Sequence, residues 1–359
     1  MIFSYLFTIS VYPLKYEDSS PTRTPNTNGI SITKAMLEIA EGVFQLEIPI
    51  RSNTQRKTYS YLFKNAGTLI DTGIQNEAAF DALVAQLSNL SLEISDIHKI
   101  FVTHMHMDHV GLISRIQEKT SVTVVALKEA DEVLRQWKNT RETAFEDTQI
   151  EISTWGGNKF LEDYHKYEHV FRRPRWKLKI DEKLADRECF YIDNHYLQAF
   201  WTPGHAREHL CLYDAEKEIF FSGDHVLPNI TSHISHHINL EGDPLRDYLK
   251  SLYKIRDLPT KTVLPGHERI FHDLAGRVSS LKTHHEGRCE DIIAALKGGA
   301  ETVFGVSSVI SWNSRPWNEM QFWTKRMAAA ETYAHLIYLR NQERAEERIR
   351  DGVLVYAAS

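Results

Sequence analysis

Apolar and polar residues alternate through "GVFQLEIPI" (Gly42–Ile50), and this period of two predicts a half-buried strand. The next apolar run, "YSYLFKNAGTLIDTG" (Tyr59–Gly73), is interrupted at Asn65-Ala66-Gly67 and reads as a β-hairpin. The spacing then changes. Phe80, Leu83, Val84 and Leu87 fall on one face of a helix over residues 76–90, with Asn76 placed to cap its start. "IHKIFVTH" (Ile97–His104) has the apolar run of a buried strand, "HVGLISRIQEKT" continues as a helix, and "SVTVVALKEA" reads as strand then helix. From about Asp131 to Leu184 the rhythm breaks. This segment is rich in Trp, Tyr, Arg and Lys, and is predicted as a mostly helical insertion over the mouth of the domain.

Strands resume at "CFYIDN" (Cys189–Asn194), "HYLQAFWTPGH" (His195–His205), "HLCLYDAEKEIFFSGDH" (His209–His225) and "KTVLPGH" (Lys261–His267). Between the last two lies an amphipathic helix, "DPLRDYLKSLYKIRDL" (Asp243–Leu258). Beyond about Leu274 the pattern is helix, helix and a final "DGVLVYAA" strand, which predicts a small winged-helix-like appendage.

The strand ends concentrate the chemistry. "THMHMDHVG" supplies His104, His106, Asp108 and His109; "TPGH" supplies His205, "SGD" Asp224 and "LPGH" His267. Imidazoles and carboxylates in this number suit two adjacent divalent cations: zinc first, with iron and manganese as the other candidates. Asp224 can bridge two ions, which a neutral histidine cannot. Gly204, Gly223 and Gly266 each precede a proposed ligand, where the backbone must turn sharply. One H-x-H is a cheap motif, but the ordered recurrence at successive strand ends is not.

These motifs, with "GTLIDTG" ahead of them, resemble those of the metallo-β-lactamase-fold hydrolases, glyoxalase II-like enzymes included, over about residues 38–275. "HHEGRCEDIIAAL" and "ETYAHLIYL" look like the C-terminal helical region of a bacterial branch. The resemblance implies an α/β fold, a four-layer αβ/βα sandwich with the metals at one edge. It also implies that His104, His106 and His205 hold one metal and Asp108, His109 and His267 the other, with Asp224 bridging. Asp71 would support the ligand loops, and a metal-bridging hydroxide, oriented by Asp108 as the catalytic residue, would attack the substrate. A small ester, thioester or lactone is the expected substrate, and a phosphodiesterase or ribonuclease activity on the same metals is the alternative. Asp224 stands where true zinc β-lactamases carry cysteine, "DHVGL" departs from the glyoxalase II turn, and His106 departs from the flavodiiron pattern.

Other features set bounds. The 359 residues divide into a leader and linker (1–37), a catalytic domain (38–275, with the insertion at 131–184) and a C-terminal region (276–359). A net charge of −6 gives no general attraction to nucleic acid or anionic membrane, so a small molecule is the expected partner; nothing fixes the oligomeric state, and a homodimer stays open. The mixed charge of "QERAEERIRDG" argues against a nucleic-acid recognition helix. Three widely spaced cysteines suggest a reducing compartment. "MIFSYLFTISVYPL" lacks a basic start and a cleavage site and is too short to span a bilayer, so a cytoplasmic location is expected. "SHISHH" (Ser232–His237) reads as a solvated or cleft-lining loop rather than a third metal site, and His225 as a core-facing, proton-donating or ligand-supporting residue. Arg172, Arg173, Arg175 and Trp176 read equally as an acidic-substrate site or a solvated basic face. Trp137, Tyr164, Tyr167 and Phe171 read as packing.

Overall fold

The computed structural model of the protein describes residues 37–50, 57–139, 143–171, 178–238, 240–312 and 315–359. The alternating segment near its start forms Leu37–Ala40 (β1) and Val43–Pro49 (β2), and β2 pairs antiparallel with Lys57–Phe63 (β3). The chain turns back at residues 64–67 into Thr68–Ile70 (β4), as the Asn-Ala-Gly sequence predicts. Helix Glu77–Asn89 (α1) follows, with the Asn76 side chain accepting from the Ala79 N–H. The pairing then becomes parallel: β4 lies beside Lys99–Phe101 (β5), β5 beside Thr123–Leu127 (β6) and β6 beside Glu182–Leu184 (β7). The seven strands form one sheet in chain order.

The strand foreseen over Ile97–His104 is confined to three residues, because the Thr103 N–H bonds the Asp71 carboxylate instead of a neighbouring strand. The following helix breaks into Met107–Val110 (α2) and Ile113–Gln117 (α3). At the break the Leu112 N–H turns to the Gly73 carbonyl, and a side chain on Gly111 would meet Gln75 N at 2.4 Å. The insertion is helical over Ala130–Asn139 (α4), Ala144–Thr154 (α5), Leu161–His165 (α6) and Glu168–Phe171 (α7), but its last residues rejoin the sheet as edge strand β7. Residues 1–36, Arg172, Arg173, Arg175, Trp176 and the side chain of Phe171 lie outside the described residues.

The second sheet has the order β12-β11-β10-β9-β8, formed by Cys189–Ile192 (β8), His195–Trp201 (β9), Leu210–Asp214 (β10), Ile219–Gly223 (β11) and Thr262–Pro265 (β12). All pairs are antiparallel except β11 with β12, which are joined through helix Pro244–Ile255 (α8). The sheets face each other across Phe63, Phe101, Leu197, Leu212 and Phe221. The outer face of the first sheet buries Leu46, Ile100 and Val124 against Leu83 of α1, Ile116 of α3 and Val133 of α4. The outer face of the second buries Phe200, Phe220 and Val263 against Leu252 of α8 and against Leu274–Lys297 (α9), Val303–Val309 (α10) and Phe322–Asn341 (α11). Each such apolar side chain contributes about 1.5–3 kcal/mol on burial. The architecture is thus helices, sheet, sheet, helices.

The C-terminal helices share one apolar core with the second sheet and with Trp155 and Tyr164 of the insertion. Tyr164 is fully buried and Trp137 and Tyr167 are partly buried against this core, so the packing reading of those three holds. The single final strand expected from the sequence is a hairpin, Ala345–Arg350 (β13) with Val353–Ala358 (β14). Asp351 and Gly352 both have positive φ, the Asp-Gly signature of a two-residue turn. The charged residues of β13 face outward and hid the alternation of Ala345 and its neighbours. All three cysteines are free thiols. No helix of the described residues is long and apolar enough to cross a membrane.

Candidate metal centre

Both sheets deliver ligands to the same edge. The loop after β5 and helix α2 bring His104, His106, Asp108 and His109; the ends of β9, β11 and β12 bring His205, Asp224 and His267. The edge is stitched by the Tyr59 N–H on the Gly266 carbonyl at 2.8 Å, the Tyr61 hydroxyl on the Pro265 carbonyl at 2.6 Å and the Leu210 N–H on the Thr103 carbonyl at 2.7 Å.

All seven predicted residues converge. His104, His106, His205 and Asp224 form one group and Asp108, His109 and His267 a second, with the ligand atoms of each group within 4.8 Å of one another. Asp224 Oδ2 lies 3.9 Å from His104 Nε2, 3.7 Å from His205 Nε2, 3.4 Å from His109 Nε2 and 3.3 Å from His267 Nε2, so it touches both groups. His267 Nε2 also lies 3.1 Å from Asp108 Oδ2.

Hydrogen bonds on the far side of four of the rings set which nitrogen faces inward. His109 Nδ1 donates to Asp71 Oδ2 at 2.7 Å, His205 Nδ1 to the His233 carbonyl at 2.9 Å, and His267 Nδ1 to the Lys57 carbonyl at 2.9 Å. His104 Nδ1 donates at 3.0 Å to the Thr103 hydroxyl, which itself donates to Asp71 Oδ2 at 2.7 Å. Four rings therefore turn Nε2 toward the centre, while His106 turns Nδ1, 3.0 Å from His205 Nε2. Asp71 is held in the left-handed region at φ 59° and serves both groups, as its place in "IDTG" suggested.

Burial and the neighbouring histidines push the His104 and His106 pKa well below the usual value. His109 behaves oppositely: burial opposes its charge, yet Asp224, Asp71 and Asp108 raise it to about 10. Burial likewise opposes protonation of His267, but Asp224 and Asp108 hold its pKa well above normal. Asp224, despite burial, is held well below the usual carboxylate range by His267 and His109.

The donor set fits divalent cations. His104 Nε2, His109 Nε2, Asp108 Oδ1 and Asp224 Oδ1 are buried and have no hydrogen-bond partner among the described residues. Leaving such atoms unsatisfied costs about 1–3 kcal/mol each, and metal coordination removes that cost. The glycines act as foreseen. A Cβ on Gly266 would meet Asp224 Oδ1 at 2.5 Å and His109 Cε1 at 2.7 Å, and Gly223 turns at φ 49°.

Some functional residues were not foreseen. His209 is fully buried, stacks on His104 at 5.1 Å, and its Nε2 accepts the Asp224 N–H at 3.1 Å, fixing the bridging candidate's backbone. Glu208 accepts the Met105 N–H at 3.0 Å. The recurrence of His four residues after His205 in "GHAREH" was the available signal. The "SHISHH" segment is largely buried and lines the cleft beside His205, so the cleft-lining reading holds and the solvated one does not. His233 pairs with Glu331 at 3.1 Å, His237 with Glu151 at 2.8 Å, and His236 stacks on Tyr333. His225 is buried and faces Tyr248, with its pKa pushed down to about 3 by burial and nearby His205.

Comparison with known proteins agrees with the geometry. Residues 53–267 match the family model of the metallo-beta-lactamase superfamily. A Bacillus subtilis protein named "probable metallo-hydrolase" is 26% identical over 257 residues, 68% of this chain and 78% of its own. An Aspergillus fumigatus protein named atrochrysone carboxyl ACP thioesterase is 27% identical over 116 residues, 32% of this chain and 34% of its own. The crystal structure of a metallo-beta-lactamase family protein from Thermus thermophilus superposes with a TM-score of 0.74 at 26% identity, covering 90% of this chain and all of that one.

Proposed function

Because the chain belongs to the metallo-β-lactamase superfamily and is a metal-dependent hydrolase, we propose that it holds two divalent cations, zinc foremost, and hydrolyses a small ester, thioester or lactone. The observation that carries this reading is the position of Asp224, within 3.3–3.9 Å of histidines from both groups, where one carboxylate can serve two ions. His104, His106 and His205 would hold one cation and Asp108, His109 and His267 the other, with Asp224 shared. Bound cations supply an acidified water at neutral pH and an electrophile for the substrate oxygen.

The protein's part is orientation. Asp108 has Oδ2 on His267 and Oδ1 without a hydrogen-bond partner among the described residues, so Oδ1 is the atom that orients the attacking water and takes its proton. Asp71 locks His109 and, through Thr103, His104. A cavity of about 140 Å³ beside His205, lined also by Arg207, His236 and Asp247, has room for a small acyl portion. The thioesterase likeness supports acyl chemistry, and the net charge of −6 favours a small molecule over nucleic acid.

The test is a hydrolysis screen of metal-replete protein over acyl esters, thioesters, lactones, bis-phosphodiesters and RNA. Acyl turnover is expected. Turnover of RNA or phosphodiesters without any acyl substrate would replace this reading with the phosphodiesterase one.

A further inference from the structure

His205 is oriented from a different part of the chain than the other ligands, since Asp71 reaches both His109 and, through Thr103, His104. The groups behind Asp108, His109 and His267 are Asp71 and the Lys57 carbonyl, both on the first sheet's side. Behind His205 stands the His233 carbonyl, and His233 sits on a strap, residues 232–237, pressed between the metal centre and α11. The strap is pinned to its neighbours by side-chain and backbone bonds. Ser232 Oγ donates to the Asp224 carbonyl, the His236 N–H to the Ala330 carbonyl at 3.2 Å, and His237 Nδ1 to Glu151, which also pairs with Arg326 of α11. At the residue that matters most for His205, the His233 ring donates from Nδ1 to Glu331 Oε2 at 3.1 Å. Glu331 is itself mostly buried on α11, and its turn of helix is tied down by His335 Nδ1 on the Glu331 carbonyl at 2.8 Å.

We infer that Glu331 is a positioning residue for the metal ligand His205, acting through His233, so that the C-terminal helix tunes one of the two cation sites and not the other. The inference rests on the reading that each group of ligands holds a cation. Its physical basis is that a ligating imidazole keeps its orientation and basicity through the acceptor on its other nitrogen. Here that acceptor is a loop carbonyl whose position depends on a buried carboxylate about a hundred residues later in the chain. Without Glu331, the His233 ring loses its charged partner and the strap can rotate its carbonyl away from His205.

The test titrates Zn²⁺ into metal-stripped wild type, Glu331→Ala, Glu331→Gln and Leu296→Ala, the last a packing control in the same core away from the strap. Competition with a chromophoric chelator reads both sites. Glu331→Ala should weaken one site by about tenfold or more and leave the other within twofold of wild type. Glu331→Gln, which keeps an acceptor oxygen for His233, should recover most of that loss. Leu296→Ala should bind both ions as wild type does. In Co²⁺-loaded protein, the shifted exchangeable proton on His205 Nδ1 should be sharp in wild type and Glu331→Gln. It should broaden by solvent exchange in Glu331→Ala; if that variant does not fold, a His205 proton in Glu331→Gln as broad as free imidazole would overturn the inference. Equal binding at both sites in folded Glu331→Ala, or equal weakening of both, would also overturn it. Wild type that binds no cation would instead defeat the two-metal reading.

Discussion

Asp71 Oδ2 accepts a 2.7 Å hydrogen bond from His109 Nδ1 while Asp71 Oδ1 accepts the Thr103 N–H at 2.8 Å. One buried carboxylate therefore fixes both the tautomer of one ligand and the course of the loop carrying three others.

Replacing Asp71 with Asn tests that role without disturbing the backbone, since Asn tolerates the left-handed φ of 59° better than Ala. Asp71→Asn should fold normally and lower metal affinity by about 10–100-fold. Residual metal after dialysis against graded chelator concentrations reads this directly.

Gly266 is fixed by space. Its Cβ would lie 2.5 Å from Asp224 Oδ1 and 2.7 Å from His109 Cε1, both on the ligand cluster. Gly266→Ala should displace these two residues, so metal content per chain falls and turnover drops at least about tenfold. Circular dichroism should remain that of the wild type.

How far the centre was legible in the sequence follows from the same geometry. His104, His106, Asp108, His109, His205, Asp224 and His267 were visible because each closes a strand or its loop with a short motif, and strand ends on one edge of a sandwich must meet. Glu331 and Glu151 were not visible as partners of His233 and His237, because 98 and 86 residues separate them and no local pattern marks the pairing. The same blindness left residues 232–237 open between a solvated and a cleft-lining loop, of which the second holds. His209 was hidden by its position at the start of an apolar strand, where a buried polar ring looks like the strand's first residue. Hairpin β13–β14 was missed because its exposed Glu and Arg residues mask the alternation.

Asp108→Ala should keep the fold and the Asp71-anchored loop yet lose about 10²–10⁴-fold in kcat, because both a cation ligand and the Oδ1 that orients the water are lost. Rates within twofold of wild type in metal-replete protein would remove Asp108 from the catalytic role.

Stability should also depend on acid through Glu151, which is buried between His237 and Arg326. Burial opposes its ionisation, but His237 and Arg326 lower its pKa to about 2 from 4.5. A depressed carboxyl contributes stability above its ordinary value and loses it as pH falls through the folded one. His237, pushed down to about 4 by burial, adds a loss of the same sign below its ordinary 6.5. Glu151→Gln should therefore cost about 3 kcal/mol at pH 7, a difference that narrows between pH 4.5 and 2 in urea unfolding.

The central claim is that the two groups joined at Asp224 hold two cations. Plasma emission analysis of protein equilibrated with micromolar Zn²⁺ and freed of excess by gel filtration measures this without knowing the substrate. Two ions per chain are predicted, falling to one or fewer in Asp224→Ala. A wild-type value of one ion or none under the same conditions would contradict the account.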